Sequence, residues 1–128
     1  MAGELILVIG DNEKNRKLSR DVLEVSGYRT LETSTGEEGV RLAREHEPAL
    51  VLLDIHLPGI DGIETSQRLR ADPATAAIPV IAVTASAMPD DRARIKSVGF
   101  DRYLSKPINI KLFLETVGEV LGASGASP

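Results

Sequence analysis

Four short apolar runs in this chain each deliver a polar residue at or just past their end, and no other feature limits the fold as strongly. The runs are Leu5-Ile6-Leu7-Val8-Ile9-Gly10-Asp11, Ala49-Leu50-Val51-Leu52-Leu53-Asp54, Val80-Ile81-Ala82-Val83-Thr84 and Tyr103-Leu104-Ser105-Lys106-Pro107. Short β-rich runs separated by helical patterns predict parallel strands buried on both faces. Ligands of such sheets bind outside the carboxyl ends of the strands. One edge therefore gathers the carboxylates of Asp11 and Asp54, the hydroxyl of Thr84 and the ammonium of Lys106. That combination suits a divalent cation and a phosphoryl group.

Between the runs the chain reads as five strand–helix units without internal linkers. Leu18, Val22 and Val25 recur at helical spacing after the first strand, and Gly27 supplies a stop. Tyr28 to Thr33 is a shorter, more polar strand suited to an edge. Thr35-Gly36-Glu37-Glu38 is a capping-box pattern opening a helix to about His46, which Pro48 ends. The run ending at Asp54 is continuously apolar and predicts a central strand. Asp61 with Glu64 caps a third helix that ends at Asp72-Pro73. A fourth helix is predicted from about Pro89 to Val98, with Gly99 as its stop, and strand five from about Arg102 to Ser105. Asn109 caps the last helix, whose stripe is Ile110, Phe113, Leu114, Val117 and Leu121. The expected fold is a doubly wound five-stranded parallel α/β sheet over residues 1–121, with a short flexible tail over 122–128 and no output domain.

Composition narrows the function. A net charge of -4 without a dense basic stripe argues against nucleic acid, and 3% aromatic residues leave few platforms for stacking bases. Zero cysteines exclude disulfides and thiolate metal sites and suit a cytoplasmic protein. No apolar stretch approaches the roughly 20 residues of a membrane span, and no signal peptide opens the chain.

Mg²⁺ takes oxygen ligands, typically one or two carboxylates with waters and a phosphate; Asp11 and Asp54 supply such a pair. The competing role for Asp11 is capping the first helix. A carboxylate after five apolar residues, as at Asp54, is costly unless exposed at the strand end or paired. Thr84 can donate to a phosphoryl oxygen or simply suit a strand. Lys106 is held by Pro107 at the sheet edge, its alternative being a solvated surface lysine. His46 and His56 need no metal role.

In this order, the residues resemble the receiver domain of two-component response regulators. The match runs through Ile6-Leu7-Val8-Ile9-Gly10-Asp11-Asn12, Leu53-Asp54-Ile55-His56-Leu57-Pro58-Gly59-Ile60-Asp61-Gly62, Val83-Thr84-Ala85 and Leu104-Ser105-Lys106-Pro107. Asp11-Asn12-Glu13-Lys14-Asn15, Ala82-Val83-Thr84-Ala85-Ser86-Ala87-Met88 and Phe113-Leu114-Glu115-Thr116 are similar to stand-alone receivers of the DivK type. The resemblance implies a flavodoxin-like receiver fold and a cytoplasmic bacterial signalling protein. Asp54 is then the phosphoacceptor for a phosphohistidine on a sensor histidine kinase or histidine phosphotransfer protein. Asp11, Asp54 and the His56 backbone carbonyl would hold Mg²⁺ or Mn²⁺; Thr84, the Ala85 backbone N–H and Lys106 would bind the phosphate. Thr84 and Tyr103 would form the switch, with Tyr103 as plain core packing the alternative. His56 and Ser86 would tune the phosphate lifetime. The resemblance implies no enzyme beyond, at most, self-phosphorylation and self-dephosphorylation, and the expected assembly is a monomer or weak dimer.

Gly10 departs from the family pattern, which places a second acidic residue there. A missing charge about 4 Å away is worth at most about 4 kcal/mol at an effective dielectric of about 20, so weaker cation binding is expected. The departure also motivates a second reading, a pseudo-receiver that binds partners without phosphorylation. A third, a phosphatase of the haloacid dehalogenase type, requires a second Asp where this chain has His56.

Overall fold

The computed structural model describes residues 3–57, 59–84, 100–105 and 108–125. Strands β1 (Leu5–Ile9), β2 (Arg29–Thr33), β3 (Leu50–Asp54), β4 (Val80–Thr84) and β5 (Arg102–Ser105) form one parallel sheet of order β2-β1-β3-β4-β5. Four helices are described: α1 (Glu13–Val25), α2 (Gly36–His46), α3 (Gly62–Ala71) and α4 (Ile110–Gly125). This is the flavodoxin-like α/β fold anticipated above. The helix expected at Pro89–Val98, with Gly99, lies outside the described residues.

The sheet separates two apolar cores because side chains alternate along each strand. Leu7, Ile9, Val51, Leu53, Val80 and Ala82 face one core, which α2 and α3 cover with Val40, Ala43, Ile63 and Leu69. Ile6, Val8, Leu50, Leu52, Ile81 and Val83 face the other, which α1 and α4 cover with Leu23, Phe113 and Val117. Burial on both faces explains why β3 and β4 read as unbroken apolar runs. β2, on the edge, is the more polar strand.

The helix ends follow their capping chemistry. Asp61 accepts from the Glu64 N–H at 2.8 Å and Asn109 from the Leu112 N–H at 3.0 Å. Asn12, not Asp11, caps α1, accepting from the Asn15 N–H at 3.0 Å, which leaves the Asp11 carboxylate available. Thr35 caps α2 through the Glu38 N–H, but the Glu38 carboxylate takes the Thr33 hydroxyl at 2.6 Å instead of closing the box. That hydroxyl, helped by Arg41, holds the Glu38 carboxyl below its ordinary range.

Three sequence expectations change. The buried side of α1 is Ser19 and Leu23, whereas Leu18 is exposed and Val25 is 89% exposed; the helix is turned about one residue from its apolar stripe. Ile110 likewise stands out of the α4 stripe, half exposed. Finally, α4 runs on to Gly125, so the tail expected from residue 122 begins inside a helix.

Glu47, at the end of α2, sits at φ 47°, in the left-handed region. That conformation costs an L-residue about 1–2 kcal/mol, and glycine escapes it at some entropic cost. Glu47→Gly is expected to raise stability by about 0.5–1 kcal/mol, seen as a higher urea midpoint; a lower midpoint would contradict the strain.

Candidate functional site

The strand order reverses between β1 and β3: from β1 the chain goes out to β2 at one edge, then crosses back to β3 and on to β5 at the other. A crevice opens at such a switch point beyond the carboxyl ends of the strands. The register fixes what lines it. Ile9 pairs with Leu53, so Gly10 and Asp54 emerge side by side, and Asp54 pairs with Val83 on the far side. Asp11 follows one residue on, exposed, while Thr84 ends β4 buried.

Asp54 is only 6% exposed. Its Oδ1 accepts the His56 N–H at 3.0 Å, an arrangement that orients the carboxylate and brings the main chain of residue 56 beside it. The His56 side chain is exposed. The loop after β3 folds back onto the strand, the Gly62 N–H donating to the Ile55 carbonyl at 2.8 Å. Gly62 is required there by space. A Cβ would collide with the Asp54 carbonyl oxygen and approach the Ile55 Cα to 2.6 Å.

Tyr103 lies on β5, 42% exposed, with its ring edge-on to buried Phe100 at 6.1 Å between centroids. This is an outward position, not plain core packing. Thr84 pairs with Ser105, so β5 ends level with β4. Ala85, Ser86, Lys106 and Pro107 lie outside the described residues.

The side chains present suit a hard cation. Asp11 and Asp54 supply oxygen donors of the number Mg²⁺ takes from protein, and a main-chain oxygen at residue 56 is near enough in sequence to complete them. Among the described residues no three His, Cys, Asp or Glu side chains converge, in keeping with glycine at position 10. Gly10 is not there for want of room: a Cβ would meet the Arg16 Cγ and Asp54 Cβ at 3.7 Å and the Asp54 Oδ2 at 3.8 Å, all ordinary contacts.

Arg16 is the residue at this site that the sequence reading missed. Its guanidinium Nη1 donates to the Gly10 carbonyl at 2.5 Å and its Nε to Glu32 at 3.3 Å. With Ser19 and Asp54 it lines a cavity of about 30 Å³. The signal was the spacing of Arg16, Ser19 and Leu23, the true inner face of α1, which a search for apolar periodicity passes over.

The sequence matches the response regulator receiver domain family over residues 6–118. The polar-differentiation response regulator DivK of Brucella ovis is 48% identical over 117 residues, 91% of this chain and 95% of that protein. Among solved structures, the receiver domain of a sensor histidine kinase from Pseudomonas aeruginosa is 30% identical with a TM-score of 0.89, covering 94% of this chain and 99% of that one. It holds a magnesium ion coordinated in its active-site cleft. The signal receiver domain of a histidine kinase from Syntrophus aciditrophicus is 27% identical with a TM-score of 0.92, covering 98% of this chain and 96% of that one. No helix among the described residues is long and apolar enough to cross a membrane.

Proposed function

The chain belongs to the response regulator receiver domain family, and on that premise we propose that it is a phosphoacceptor switch in a phosphorelay. Asp54 takes a phosphoryl group from a phosphohistidine on a sensor histidine kinase or a histidine phosphotransfer protein, and the change alters which proteins the domain binds. The observation that carries this reading is the Asp54 carboxylate itself, 6% exposed at the end of the central strand and oriented by the His56 N–H. A buried carboxylate is kept where it is hydrogen-bonded or paired, and this one is kept at the strand end beneath the crevice, where a phosphoryl donor can reach it.

In the transfer an Asp54 oxygen attacks phosphorus while the bond from phosphorus to the imidazole nitrogen breaks, its electron pair returning to the ring. Mg²⁺, when bound, neutralises charge on the phosphoryl oxygens; Asp11, Asp54 and the His56 carbonyl would hold it. The Thr84 hydroxyl, the Ala85 N–H and the Lys106 ammonium take the phosphoryl oxygens. Because those contacts exist only in the phosphorylated state, they favour an inward Thr84. The space vacated admits Tyr103 from its outward position and reshapes the surface around β5. In this reading His56 and Ser86 govern access of hydrolytic water.

A second reading rests on Gly10: a module that binds partners while phosphorylation no longer controls it. Incubation with Mg²⁺ and acetyl phosphate, followed by intact mass, separates the two. A one-phosphoryl adduct on the wild type that Asp54→Asn abolishes is expected. Failure to form the adduct at saturating Mg²⁺ would sink the switch and leave the second reading.

A further inference from the structure

We propose that Arg16 sets the cation affinity of the Asp11–Asp54 site, its guanidinium acting as a fixed positive charge against which a metal ion must bind. This role rests on Asp11 and Asp54 being the cation ligands. Arg16 is held in place: its side chain is 17% exposed, pinned to the Gly10 carbonyl and to Glu32. It is also poorly neutralised. The Glu32 carboxylate is shared with Arg20, which approaches it at 2.8 Å against 3.3 Å for Arg16. The shortest bond Arg16 makes, at 2.5 Å, is to an uncharged carbonyl.

Position 10 shows how directly this charge bears on the site. A Cβ at position 10 would lie 3.7 Å from the Arg16 Cγ and 3.8 Å from the Asp54 Oδ2. Arg16 and Asp54 also line one small cavity and, among the described residues, are its charged walls. The guanidinium itself sits on the Gly10 carbonyl, next to Asp11 in the chain, and like charges brought together in a partly buried site repel by more than thermal energy. A carboxylate placed at position 10 falls within reach of Arg16 and would be drawn to it, so it strengthens cation binding fully only when Arg16 is neutral.

Binding of Mn²⁺, followed by the paramagnetic resonance of the free ion, tests this in the full chain. Arg16→Met keeps the apolar stem and removes the charge; it is expected to tighten Mn²⁺ about tenfold, with Arg16→Gln behaving alike. Arg16→Lys keeps the charge and should stay within about twofold of the wild type. Gly10→Asp alone should gain roughly threefold, and Gly10→Asp with Arg16→Met roughly a hundredfold. Thermal melts run beside each titration identify any variant that has lost its fold, and the Gln variant then decides in place of Met. Affinity unchanged in both neutral variants, or a Lys variant that tightens as they do, overturns the role, as does a double variant no better than Gly10→Asp. If wild type binds Mn²⁺ regardless of residue 16, the cation site stands and only the role of Arg16 falls. If neither wild type nor any variant binds, both fall together.

Discussion

Alanine at position 62 is expected to cost about 3 kcal/mol of stability and to slow phosphoryl acceptance at Asp54 by about ten- to a hundredfold. The added methyl points at main chain, the Asp54 carbonyl oxygen and the Ile55 Cα, neither of which can rotate aside. Relief must come from moving the start of α3 away from β3. That movement stretches the Gly62 N–H bond to the Ile55 carbonyl and disturbs the short turn in which the His56 N–H holds the Asp54 carboxylate. Stability and chemistry should therefore fall together. Gly118→Ala is the control: its Cβ meets nothing within 4 Å, and α4 should gain about 0.5–1 kcal/mol from losing a glycine. Urea midpoints and the rate of mass increase under acetyl phosphate read both effects. A Gly62→Ala protein as stable and as quick as the wild type would show that the loop yields more easily than its geometry indicates.

The parts of the molecule legible in the sequence are those where one physical effect dominates. β3 and β4 are buried on both faces, so nothing dilutes their apolar runs, and the residues ending them, Asp54 and Thr84, are placed at one edge by parallel topology alone. The caps at Asp61 and Asn109 are local, settled within four residues. What could not be read needed contacts between elements rather than within one. Glu38 leaves its own cap because the Thr33 hydroxyl on β2 lies within reach. α1 follows Ser19 and Leu23 inward although Leu18 and Val25 are more apolar overall. Its inner face carries a guanidinium and a hydroxyl, and Arg16 finds its partners at Gly10 and Glu32 only once β1 and β2 lie side by side. An arginine on an amphipathic helix reads as solvent-facing until that neighbour is known. Gly62 closes the motif after β3 in the sequence, but its need to be glycine depends on how closely α3 approaches β3.

α4 allows the phase of a helix to be tested by measurement. Ile110 and Phe113 belong to the same sequence stripe, less than one turn apart, and both are large and apolar. In the structure Phe113 is 1% exposed within the core between the sheet and α1, among Leu23, Leu52 and Leu104, while Ile110 is half exposed. Ile110 is the first residue of α4, directly after the Asn109 cap, whereas Phe113 lies further in. Phe113→Ala empties a closed space and should cost about 3–5 kcal/mol, a large share of the roughly 5–15 kcal/mol that holds a domain folded. Phe113→Leu keeps most of the volume and should cost less than about 1.5 kcal/mol. Ile110→Ala removes surface that water already reaches and should stay within about 0.5 kcal/mol of the wild type. Denaturant unfolding of the three variants orders them directly. Equal losses at the two positions would mean that the stripe read from the sequence, and not the exposed Ile110 of the structure, describes how α4 is packed.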